Sequence, residues 1–126
     1  MIEMLVVLAV IAMIGSLVFV QMRTARSRAR DAEREEKIKT IQNALALYVV
    51  NNHFYPIYTG FLTGTDPVSS ALITDNALHQ MPLDPLNTGV YQYSYTSGNG
   101  AVYTITYYLE TDSIPGKIAG VQTTSP

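Results

Sequence analysis

The sequence contains no cysteine, which excludes disulfides and all thiolate chemistry and leaves the redox compartment open. Its only histidines are His53 and His79, with no His-x-x-x-His spacing. There is no glycine-rich phosphate loop and no Gly-x-Ser-x-Gly element, so neither phosphoryl transfer nor a serine nucleophile is indicated. No proline precedes Pro56, and Gly15 is the only glycine before Gly60. Nothing ionisable occurs between Met4 and Met22. These absences point away from an enzyme and toward a long, uninterrupted N-terminal helix.

The 126 residues amount to one domain's worth of chain. The apolar share, 48%, is ordinary, but its distribution is not: from Met4 to Val20 only Gly15 and Ser16 interrupt an apolar run. Seven of the eight basic residues fall between Arg23 and Lys39. Beyond Thr40, Lys117 stands alone against Asp66, Asp75, Asp84, Glu110 and Asp112. The net charge of −2 gives no global reason to expect a nucleic-acid partner. The expected organisation is a greasy half-helix over 1–22, an amphipathic half over 23–52 and a globular head over 53–126. A head this small, without cross-links, must draw stability from the helix it packs on.

About 20 apolar residues cover a bilayer core, and the Met4–Met22 run is close to that length. A secretory signal would begin basic and end at a small-residue cleavage site, whereas this segment begins with Glu3 and continues into helical sequence. A plain membrane anchor and an anchor that becomes the core of a helical assembly both remain. Glu3 separates them. Near the end of the span it can reach water and favour the helix N-terminus. Alternatively it pairs with the α-amino group of a neighbouring copy, because a carboxylate within hydrocarbon needs a partner. The arginine cluster alone would place the neck in the cytoplasm, but Asp31, Glu33, Glu35 and Glu36 are interleaved with it and the body has the character of an exported domain.

Ile38, Ile41, Leu45 and Tyr48 recur at +3, +4 and +3, a single helical stripe that Ala44 and Leu47 widen. Glu33–Lys37 and Glu35–Lys39 are favourable i,i+4 pairs, whereas Arg26–Arg30 and Arg30–Arg34 repel. A solvated face is expected for this charge run, with phosphate binding, to lipid or DNA, as the alternative. Asn51, Asn52 and the approaching Pro56 mark the stop. A helix from Ile2 to Val50 would be about 75 Å long. Its first half needs lipid or other helices, and its second half seats a domain. Gly15-Ser16 permits close helix approach or local unwinding.

Residues 56–89 have the composition of a long structured loop that holds one short helix, N-capped by Asp66, from Pro67 to Ile73 or Ala77. Strands are expected over 90–95, 101–109 and 117–122, with turns at Ser97–Gly100 and Ile114–Lys117. The fold class is therefore α+β, a long N-terminal helix packed on a small antiparallel sheet of about three strands. Most of the nine tyrosines fall on those strands, where they suit cross-strand packing; a stacking surface for sugars or nucleobases is the alternative. Asp84, between two prolines, suits a turn better than acid catalysis. Glu110 and Asp112 could lend oxygens to calcium but fall short of the roughly six to eight ligands it takes. No cofactor or metal is expected.

The run Ile2-Glu3-Met4-Leu5-Val6-Val7-Leu8-Ala9-Val10-Ile11 resembles the N-terminal segment of type IV pilins and type II secretion pseudopilins. Ile41–Tyr48, Asn52–Pro56 and Met81-Pro82-Leu83-Asp84-Pro85 are similar to that family's helix end, its Tyr-Pro and its Leu-Pro-x-Asp-Pro element, so the likeness spans residues 2 to about 95. The resemblance implies a leader removed by a membrane-embedded prepilin peptidase, methylation of the new amine, a single-pass stage in the cytoplasmic membrane among its lipids with the body outside, and extraction by the pilus assembly machinery. The end product would be an extracellular homopolymer. Met1, Ile2 and Glu3 would be assembly residues, and Leu5, Leu8, Ile11 and Gly15 would pack the filament core. The family's leader and Phe-Thr are not present, so Met1 stands where the residue before Leu/Ile-Glu belongs. The proline usual late in the apolar run is absent, as are the C-terminal disulfide loop and the calcium-binding tail of the major secretion pseudopilin. The expected function is a structural subunit, the major one, of a type IV pilus. A type II secretion or competence pseudopilin is the alternative, and a monotopic membrane protein with a ligand-binding head is the alternative from another class.

Overall fold

The computed structural model describes residues 1–126. Helix-forming residues free of proline produce one unbroken helix, α1 (Ile2–Asn52), of 51 residues, or about 76 Å. It passes through Gly15-Ser16, where the Ser16 hydroxyl donates to the Met13 carbonyl at 2.8 Å. It stops at His53, which takes the left-handed conformation with φ 68° while its N–H donates to the Val49 carbonyl. The helix thus ends at Asn52, at the expected boundary of its amphipathic half, and its last turn closes through a left-handed cap.

Four strands and a second helix follow: β1 (Tyr58–Phe61), α2 (Pro67–Thr74), β2 (Ser94–Ser97), β3 (Thr104–Leu109) and β4 (Gly120–Thr124). The strands lie in the order β1-β2-β3-β4, each antiparallel to its neighbour. The α+β architecture expected from the sequence is the one observed, with one strand more than expected. The extra strand is β1, inside the segment read as loop. Tyr58, Thr59 and Phe61 favour extended backbone, but Gly60 interrupts them and four residues are too few to show an alternation; pairing with β2, from Tyr58 opposite Ser97 to Phe61 opposite Ser94, completes the strand. The second strand begins at Ser94 rather than 90, although the Leu62 N–H still reaches the Tyr93 carbonyl. The last strand is displaced to Gly120–Thr124, since Asp112 captures the Ala119 N–H and holds the preceding residues in the loop. The Ile114–Lys117 turn is present, with Gly116 at φ 79° and the Lys117 N–H on the Ile114 carbonyl. Helix α2 starts as expected, its first turn capped by Asp66, which accepts from the Ser69 N–H at 2.9 Å.

The core forms where the sheet meets the second half of α1. Alternation along β3 turns Ile105, Tyr107 and Leu109 inward, with Tyr95 opposite Ile105. From α1 come Ile38, Ile41, Ala44 and Leu45, and from α2 Val68 and Leu72, all buried. The tyrosines behave as core residues. Tyr93, Tyr95, Tyr103 and Tyr107 are buried, Tyr95 stacks on Tyr103 with centroids 5.8 Å apart, and the Tyr95 hydroxyl donates to the Pro56 carbonyl.

Candidate functional site: an exposed apolar half-helix and its charged anchor

The first half of α1 touches none of the rest of the chain. It is the one helix long and apolar enough to cross a membrane, and none of that apolar stretch is buried. Every residue from Met1 to Met22 is exposed except Gly15, which is intermediate. Ile2, Leu5, Leu8 and Ile11 are 60–77% exposed, and their spacing with Gly15 places Leu5, Leu8, Ile11 and Gly15 along one side of the helix. A Cβ added at Gly15 would meet nothing within 4 Å. Glu3 lies in the first turn, two residues after Met1, which holds the N-cap position without a side-chain cap. Within one chain these seven residues share a helix and meet no partner.

What the sequence reading missed lies one helical segment further on. Asp31 and Arg34 are fully buried, not solvated. The Arg34 guanidinium donates to Asp84 twice, at 2.6 and 3.2 Å, to Asp31 at 2.8 Å and to Glu110 at 2.8 Å. Arg30 grips the same Glu110 with two bonds of 2.7 and 2.6 Å. The expected repulsion between Arg30 and Arg34 is still present, but it is outweighed by the carboxylate they share. Glu110 is held down to a pKa of about 2, chiefly by its hydrogen bond from Arg30, with Arg34 adding to it against the opposing effect of burial. Burial alone would depress the Arg34 guanidinium, but its bonds to Asp84, Glu110 and Asp31 leave it raised. Asp31 also accepts the Glu110 and Thr111 N–H groups and the Thr111 hydroxyl. Asp84 accepts the Leu86 and Asn87 N–H groups, so it is both the expected turn residue and an ion-pair partner. The charges are thus paired and hydrogen-bonded, the condition under which buried ions are tolerated. The oxygens of Glu110, considered above for calcium, face two guanidinium groups.

A second charged contact fastens β3 and the β3–β4 connection to the helix. Glu35 was expected to pair with Lys39, but it takes Lys117 at 2.7 Å and the Tyr107 hydroxyl at 2.5 Å. Glu33 pairs with Lys37 as expected, at 2.7 Å, while Lys37 also donates to the Leu83 carbonyl. Together the two clusters tie α1, the 81–87 loop, the end of β3 and the β3–β4 connection into one hydrogen-bonded junction, just beyond the exposed half-helix. Sequence could have signalled this junction: stepping back from Ile38 by four and then three continues the core stripe onto Arg34 and Asp31.

Comparison with family models, with curated proteins and with solved structures finds no match to this chain.

Proposed function

We propose that the protein is a membrane-anchored structural subunit and, more specifically, the major pilin of a type IV pilus, polymerising through the first half of α1 into an extracellular filament. The observation that carries this reading is the division of one continuous helix: the second half is seated under a sheet and the first half is uncovered on all sides. Soluble monomers rarely leave a contiguous apolar surface of more than a few hundred Å² in water. A helix apolar all round needs lipid, other helices, or both in turn. The stage before assembly is a single-pass membrane protein, and the stage after it is a homopolymer. The peptidase and assembly machinery implied by the pilin resemblance would carry the chain from one to the other. The role is structural rather than catalytic.

The test is expression in a pilus-competent host, followed by shearing and electron microscopy of the shed fraction. Filaments built of this chain are expected. Recovery of the chain only in membranes, never in sheared material, would remove the filament reading and leave the anchor. Glu3 is assigned to pairing with the α-amino group of a neighbouring copy, which would set the axial register of the helices. Glu3→Ala is expected to lower filament yield severely and leave membrane insertion unchanged; a normal yield would refute that pairing.

A further inference from the structure

Immediately beyond the apolar half, the fold leaves three cations unused. Arg23, Arg26 and Arg28 are exposed, whereas Arg30 and Arg34 are consumed by Glu110, Asp31 and Asp84. No acid occurs between Met4 and Arg30, and the first one after it, Asp31, is buried and fully bonded. The three free guanidinium groups thus have no anion in their own chain.

Their placement specifies the kind of anion that fits. At about 100° per residue, Arg26 lies about 60° to one side of Arg23 and Arg28 about 140° to the other, so the three encircle the helix. At a 1.5 Å rise they sit about 1.5, 6 and 9 Å beyond Met22. A headgroup layer is about 5–8 Å deep on each side of the hydrocarbon. Helical side chains lean toward the N-terminus, here toward the apolar segment, and arginine stems can lie along apolar surface while the head stays in the polar layer. All three can therefore reach lipid phosphates at once. A nucleic-acid duplex presents its phosphates from one side and would engage only part of the ring, whereas lipid surrounds the helix as the arginines do.

We infer that Arg23, Arg26 and Arg28 form a girdle that binds the phosphates of anionic phospholipids around the spanning helix and concentrates those lipids next to the subunit. Guanidinium suits this role because it binds phosphate through two parallel donors. The inference rests on α1 spanning a bilayer, the membrane stage proposed above, and not on polymerisation.

The experiment uses the full-length chain reconstituted in phosphatidylcholine vesicles, with spin-labelled phosphatidylglycerol or spin-labelled phosphatidylcholine reporting the motionally restricted lipid at the protein. A preference for phosphatidylglycerol is expected, about fivefold for each arginine that engages a phosphate, and it should shrink at about 1 M salt, where charges are screened within about 3 Å. R23Q/R26Q/R28Q should abolish the preference, and R23K/R26K/R28K should keep most of it. All three positions are exposed, so the variants are expected to fold, and unchanged circular dichroism verifies this. Equal restriction of both lipids by a chain that resists alkaline extraction from the vesicles would overturn the girdle alone. A chain that alkali extracts would overturn the girdle and the membrane stage together. Capture of duplex DNA by the vesicles without lipid preference would also overturn it, and would assign the cluster to nucleic acid.

Discussion

Arg34 is the residue on which the junction turns. It is one of the largest fully buried side chains, and its guanidinium makes four hydrogen bonds to carboxylates from α1, from the 81–87 loop and from the end of β3. Arg34→Met keeps much of the volume and strands Asp31 and Asp84 without their cation. Removing one partner of a buried pair costs about 3–5 kcal/mol, a large share of a small domain's stability. Urea titration of the full chain in detergent micelles, followed by near-ultraviolet dichroism of the tyrosines, checks this; a midpoint shift worth less than about 1 kcal/mol would mean that the network contributes little. Glu110 adds a pH signature. Its folded pKa, about 2, lies below the ordinary 4.5, so its stabilisation is complete above pH 4.5 and is lost as pH falls from there through about 2. The acid limb of the stability curve should flatten in Glu110→Gln, whose stability at neutral pH should also be lower.

At the scale of elements, the parts governed by local periodicity and capping were legible in the sequence. The stripe Ile38, Ile41 and Leu45 is buried as its spacing requires, Asp66 caps α2, and Gly116 occupies the left-handed corner of its turn. What escaped depends on partners distant in the chain. The partners of Arg34 lie 50 and 76 residues away, and polar residues at stripe positions resemble a solvated face until those partners are known. Strand β1 escaped for the same reason, since pairing with β2 completes it. The end of α1 was legible from Asn51, Asn52 and the approaching Pro56, but its cap was not, because the cap is a histidine held at positive φ rather than the glycine common at that position. His53→Gly should relieve that conformation and change stability by no more than about +1 kcal/mol, because the unfolded chain gains freedom at the same time. His53→Val should destabilise, a β-branched residue being poorly tolerated at positive φ. Thermal unfolding of the pair in detergent micelles checks the sign of each.

At the scale of the whole molecule, the charged junction joins the placement of the head to that of the helix. If copies pack through the exposed half of α1, their heads are positioned by that same helix, because the two charged clusters anchor the sheet to the helix directly. Residues of the exposed half would then act between copies, where a single chain provides no contact against which to judge them. Gly15 isolates this point. In the subunit, a side chain there would meet nothing within 4 Å, and replacing glycine within a helix gains up to about 1 kcal/mol of helix propensity. Gly15→Leu should therefore leave the subunit as stable as before, or slightly more so, and equally well inserted in membranes. Small residues let helix backbones approach closely, so the same substitution should thin or abolish filaments if the helices pack through that position. The comparison is of sheared filament yield against membrane-inserted subunit in one strain. Loss of both would mean that the residue matters to the monomer after all, and full yield of both would remove Gly15 from the packing surface and leave Leu5, Leu8 and Ile11 to carry it.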